Sequence, residues 1–167
     1  VHRDLKPANV MVGAYGEVLV ADWGFAKVLG QGGVTDELSS RREVAERSAV
    51  QTVRSGPDGE ESQVGSVLGT PAYMPPEQAR GMVEQLDERS DVFALGAILC
   101  EILTGAPPCV GESARDLVLL AAAGNLDDAR ARLESSGADA PLVDLALRCL
   151  APERPARPAD AAVVAVE

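Results

Sequence analysis

Histidine is almost absent from this chain of 167 residues: His2 is the only one. A His-based nucleophilic triad and a multi-His metal centre are therefore excluded. Cysteine is scarce too. Cys100, Cys109 and Cys149 are scattered, form no CxxC pair, and are expected to be reduced, buried thiols in a reducing compartment. No long apolar run is present. The longest, VFALGAILCEILTG, is interrupted by Glu101 and falls short of the ~20 residues of a membrane span, so it is expected to be a buried helix. Basic residues are outnumbered, with 15 Lys and Arg against 26 Asp and Glu and a formal net charge of −11. That balance argues against non-specific binding to nucleic acid or to an anionic membrane as the main task. No signal peptide is visible, and the chain does not begin with Met.

What is present is enough for one domain with a real core. Hydrophobic residues make up 46% of the chain, which speaks against wholesale disorder. The β-branched runs VMV and EVLVA flank the turn residues GAYG, a pattern that predicts a small hairpin. Residues 27–65 carry no steady period and read as a long loop, with a short helix expected within 37–48. GTPAYMPPEQA is punctuated by Pro71, Pro75 and Pro76 and reads as an ordered, turn-rich segment leading into a short helix. Residues 91–104 give the strongest helix signal. Their apolar residues run almost all the way round, as in a central buried helix, with Ser90 or Asp91 as cap and Gly105 and Pro107 as stop. Further helices are predicted over 113–123, 126–135 and 141–150, and a last one from about residue 159. The expected fold is mainly α with a small β hairpin.

Polar residues of one chemical theme cluster around the hairpin. Asp4, Lys6 and Asn9 of HRDLKPAN share a short loop before the first strand, and Asp22 follows the second strand in ADWGFAK. A hairpin folds back on itself and can bring these two loops together. Two carboxylates, an ammonium and a carboxamide then suit phosphoryl transfer: an acid and an amide oxygen can hold Mg²⁺, a Lys neutralises phosphate, and a second Asp orients the attacking hydroxyl. Taken alone, Asp4 would be an ordinary turn residue. GQGG at 30–33 is not a G-x-G-x-x-G loop and reads as a linker.

HRDLKPAN, DWG, GTPAYMPPE, RSDVFALG and CLAPERPARPADA, in that order, resemble the C-terminal lobe of eukaryotic-type protein serine/threonine kinases of the bacterial kind. The resemblance implies a kinase-like C-terminal lobe divided into catalytic loop, hairpin and DWG (1–26), a long activation-segment insert (27–65), a P+1 loop with PPE (66–79) and a helical subdomain (80–167). It implies a transfer of the ATP γ-phosphoryl to Ser or Thr hydroxyls of protein substrates, with ATP and Mg²⁺ (or Mn²⁺) as cofactors and no nucleic-acid partner.

By matched position, Asp4 would be the catalytic aspartate and Lys6 the contact to the γ-phosphate. Asn9 and Asp22 would hold the metal, and Met11 would lie under the adenine. Thr70 would bond near Asp4 and Lys6 and help select the acceptor. His2 would pack under the catalytic loop, Asp91 would tie down its backbone, and Glu77 would pair with Arg157. Arg3 would receive a phosphorylated residue, with Ser66 the best-placed acceptor and Ser62 the second; both could equally be solvated loop serines.

DWG replaces DFG, and Trp23 is expected to pack against His2. PPE replaces APE and keeps Glu77; Phe93 stands where Trp or Tyr is frequent. The resemblance includes no glycine-rich loop, β3 lysine or helix-C glutamate, so the chain is expected to be a fragment of a longer kinase, inactive alone, with apolar surface exposed on its hairpin. The competing reading is a non-catalytic, kinase-like scaffold. The expected location is the cytoplasm, with a membrane anchor elsewhere in the parent allowed.

Overall fold

The computed structural model describes residues 1–29 and 69–166. Two compact units are distinguished, Val1–Lys27 with Val67–Glu167, and Val28–Ser66. The second lies almost wholly outside the described residues, as do the helix expected within 37–48, GQGG, Ser62 and Ser66.

The first unit begins with the predicted hairpin. Strands β1 (Val10–Val12) and β2 (Val18–Val20) pair antiparallel, with Val10 opposite Val20 and Val12 opposite Val18. Gly16 closes the turn at φ 83°, a left-handed backbone that glycine adopts without steric cost. After the second run of described residues begins, a 3₁₀ turn over Pro71–Tyr73 leads to the short helix α1 (Pro76–Ala79).

The central helix α2 spans Glu88–Thr104. It starts earlier than residues 91–104, because Asp87, not Ser90 or Asp91, caps it by accepting from Arg89 N at 3.0 Å. Gly105, at φ 78°, ends it as expected, its N–H reaching Glu101 O at 2.8 Å. Helix α3 (Ala114–Ala123) is capped by Ser113, whose Oγ accepts from Asp116 N at 3.1 Å. Helices α4 (Asp127–Ser135) and α5 (Ala140–Cys149) carry the i,i+4 pairs Asp128–Arg132 and Asp144–Arg148, each at 2.9 Å. Helix α6 (Ala161–Ala165) is capped by Asp160 and begins two residues after the expected point.

The main core is built on α2. Phe93, Ala97 and Cys100 pack against Ala129 and Leu133 of α4 and against Ala146 and Leu150. Gly96 lets α5 approach closely: a Cβ there would lie 2.5 Å from the Cβ of Cys149. The reading of α2 as a buried helix holds for most of its surface, but Ile102 is exposed. All three cysteines are free and buried. Burial pushes the Cys109 thiol up to about 11, with neighbouring Cys100 adding to the shift. Among the described residues no helix is long and apolar enough to cross a membrane.

Candidate active site

The loop before β1 places its polar side chains by short, specific bonds. Asp4 is almost fully buried, and its two carboxylate oxygens have different partners. Oδ2 accepts from Lys6 Nζ at 2.9 Å, and Oδ1 accepts from the backbone N of Thr70 at 2.9 Å. Lys6 Nζ also donates to Thr70 Oγ1 at 2.7 Å. Asp4, Lys6 and Thr70 thus form one closed cluster, although 64 positions separate Lys6 from Thr70. Asn9, buried at the end of a 3₁₀ turn over Pro7–Asn9, donates its Nδ2 to Asp4 O at 2.8 Å. That bond uses the nitrogen of the carboxamide and not its oxygen.

The hairpin brings the second carboxylate to this loop. Ala21 N donates to Asn9 O at 2.8 Å, so Asp22 begins the segment directly beside Asn9. Asp22 takes a left-handed backbone, φ 60° and ψ 60°, and its side chain caps no N–H of the following 3₁₀ turn, Trp23–Phe25. It is exposed, and so is Met11. A carboxylate and an amide oxygen are hard donors that fit Mg²⁺, an ion that takes one or two protein ligands and completes its shell with phosphate and water. Among the described residues there is no group of three or more His, Cys, Asp or Glu side chains placed to hold a metal ion.

Beneath this cluster lies a hydrogen-bonded floor. His2 is buried with its ring edge-on to Trp23 at 4.8 Å. Its Nε2 donates to Ala21 O at 2.9 Å and its Nδ1 accepts from Asp4 N at 3.3 Å, a pair of contacts that selects one tautomer. Asp91, on α2, accepts from the backbone N of His2 at 2.7 Å and of Arg3 at 2.9 Å. Arg3 itself is half-buried and its Nε donates to Phe25 O. Burial lowers its pKa from the ordinary arginine value, with Asp91 pulling the other way.

Glu77 and Arg157 meet in a buried, bidentate pair at 2.8 and 2.9 Å. Arg157 also donates to the carbonyls of Ala151, Arg89 and Pro152 and lies over the Phe93 ring at 5.0 Å. Burial alone would raise the Glu77 pKa; the bonds and charge of Arg157, with the Ser90 hydroxyl, outweigh it and hold the carboxyl below its ordinary value. Tyr73 is half-buried and donates to Glu101 at 2.7 Å, and burial with that carboxylate pushes its phenol up to about 12.

One polar residue of this region was not legible beforehand. Gln78 is buried on α1 and donates its Nε2 to Arg3 O at 2.8 Å. Its only sequence signal was its place beside Glu77, since a bond to a carbonyl leaves no trace in the partner's residue type.

The fold and this cluster place two carboxylates, an ammonium and a carboxamide around one loop, and comparison with known proteins names the family. The protein kinase domain family matches residues 1–166, and the chain belongs to it. The chain is similar to a probable serine/threonine-protein kinase of Streptomyces coelicolor, 40% identical over 113 residues, covering 68% of this chain and 13% of that protein. It is also similar to the serine/threonine-protein kinase PknB of Mycobacterium leprae, 40% identical over 113 residues, with 68% and 14% covered. Serine/threonine-protein kinase PknD of Protochlamydia amoebophila is 39% identical over 108 residues, with 65% and 10% covered. The aligned part of this chain thus spans about one seventh or less of the length of these relatives.

Proposed function

We propose that this chain is the C-terminal lobe of a protein serine/threonine kinase that transfers the ATP γ-phosphoryl to Ser or Thr hydroxyls of protein substrates. The observation that carries the reading is the closed cluster of Asp4, Lys6 and Thr70, with Asn9 locked beside it. A scaffold has no need to assemble these groups. In this reading residues 1–26 supply catalytic loop, hairpin and DWG, 27–65 an activation-segment insert, 66–79 the substrate-facing P+1 loop, and 80–167 the helical subdomain.

Asp4 orients the acceptor hydroxyl and receives its proton at the carboxylate. Thr70 keeps that carboxylate aimed and shapes the space for a Ser or Thr side chain. Lys6 neutralises charge on the transferred phosphoryl. Asn9 and Asp22 would hold Mg²⁺ or Mn²⁺, which supplies charge neutralisation on the phosphates when bound. Met11 lies on an exposed apolar strand face suited to an adenine ring. Catalysis here is positioning and electrostatics, with no covalent step for the protein.

The exposed apolar hairpin fits a surface that the rest of an ATP site covers, so the chain alone is expected to be inactive. Arg3 is the residue to receive a phosphorylated Ser66 or Ser62. The cytoplasm, where ATP and protein substrates are present, is the expected location. The test is Asp4→Asn in the intact protein that carries this chain. Phosphoryl transfer should fall by roughly 10²–10⁴-fold while nucleotide binding is spared. An unchanged rate overturns the assignment.

A further inference from the structure

Asp4 is aimed by its side-chain bonds and also by the backbone of the residue before it. Arg3 has φ 71°, one of two non-glycine residues among those described with a left-handed backbone. Such a conformation persists only where the surroundings hold it. Two side chains hold it here, from opposite ends of the residue. Asp91 takes its N–H at 2.9 Å, and Gln78 Nε2 reaches its carbonyl at 2.8 Å. The carbonyl of Arg3 belongs to the peptide that leads directly into Asp4.

The position of Gln78 is itself fixed. It follows Glu77 on α1, which Arg157 and Ser90 pin to the helical body. The bond also has room made for it. Gly69 sits at φ 121°, and a Cβ there would lie 2.9 Å from Gln78 Nε2 and 3.3 Å from Arg3 O. The next residue, Thr70, bonds both Asp4 and Lys6. A small cavity lined by Arg3, Asp4, Thr70, Gln78, Ser90 and Asp91 lies at the centre of this arrangement.

We propose that Gln78 is a positioning residue for phosphoryl transfer: its amide clamps the Arg3 carbonyl and so couples the seating of α1 to the direction of Asp4. The inference rests on the kinase reading of the site. Gln78 Nε2 donates to the Arg3 carbonyl, so the residue acts through the Arg3–Asp4 peptide. Its loss therefore misaims the aspartate without removing any contact to nucleotide.

The experiment uses the intact protein with a Ser/Thr peptide as acceptor. Gln78→Met keeps length and volume but removes the donor, and Gln78→Glu keeps the shape and replaces the donor with an oxygen. Folded sites are counted by nucleotide titration, so that kcat is expressed per folded molecule. Each variant is expected to lose roughly tenfold or more in kcat with KM for ATP unchanged. Leu133→Val, in the core away from the site, should lower the melting temperature and leave kcat per folded site as it was. Should one Gln78 variant fail to fold, the other decides. Wild-type kcat per folded site in the folded Gln78 variants overturns the inference and leaves the kinase reading standing. Absence of transfer by the wild-type protein, or transfer that survives Asp4→Asn, overturns the reading beneath it.

Discussion

The hairpin and the helical body use the same apolar residues to different ends. In the body, Val92 and Leu133 are 0% exposed. In the hairpin, Val12 is 72% exposed and Leu19 58%. Alternation cannot account for this, because both faces of both strands are at least partly open. The hairpin has no core of its own within the described residues. Its loops are held instead by polar bonds that reach out from the body: Asp91 to the backbone of His2 and Arg3, Gln78 to the carbonyl of Arg3, and Thr70 to Asp4. Hydrophobic burial stabilises the platform, while directional bonds fix the polar groups on it. That division suits a site whose work is orientation, because a hydrogen bond fixes an angle and apolar contact does not.

The largest test of the platform is Arg157→Ala. Arg157 is fully buried, and its removal leaves Glu77 as an uncompensated charge, 5% exposed, beside three carbonyls that each lose a donor. Breaking such a pair costs about 3–5 kcal/mol. Denaturant unfolding of the chain should show a loss of that size. A loss under about 1 kcal/mol would mean that the pair behaves like a surface bridge and that α1 is not anchored through it.

A smaller effect is expected at the crossing of α2 and α5. Gly96→Ala puts a methyl 2.5 Å from Cys149 Cβ and 3.2 Å from the backbone at Cys149 and Leu150. Alanine favours helix over glycine by about 1 kcal/mol, but overpacking a well-filled contact costs about 1–3 kcal/mol. Backbone cannot yield as a flexible side chain can, so the net change should be a fall in melting temperature. A rise would show that the two helices separate freely, and that the body is looser than its burial implies.

How far each region could be read in advance follows from the same division. Local chemistry was legible: the hairpin from VMV–GAYG–EVLVA, the stop at Gly105, the helix over 113–123 and the buried character of most of α2. The start of α2 was misplaced because Asp87, Ser90 and Asp91 are all able to cap. Asp91 is instead committed to the His2 and Arg3 backbone, far away in sequence. The meeting of Thr70 with Lys6 could not follow from periodicity, since nothing local links them; only the ordered motifs of the kinase resemblance suggested it. Gln78 escaped even those motifs, because its partner is a main-chain carbonyl.

The smallest effect expected is in the hairpin, and it is the most direct probe of the contrast. Val12 and Val18 face each other across the sheet, and both are exposed. Threonine matches valine in shape and in preference for strands, so Val12→Thr moves a hydroxyl into water at little cost, within about 0.5 kcal/mol. The same exchange at Val92 buries that hydroxyl in the core and should cost about 1–3 kcal/mol. Thermal melting of the two variants side by side measures the difference between the regions with one chemical change. Near-equal losses would mean that the Val12 face is packed in the folded chain, and the hairpin would then have to be treated as part of the body. A silent Val12→Thr beside a costly Val92→Thr leaves the hairpin as a strand pair whose apolar faces contribute nothing to this chain's own stability. The bonds from Asp91, Gln78 and Thr70 would then be what holds the adjoining loop of Asp4 in place.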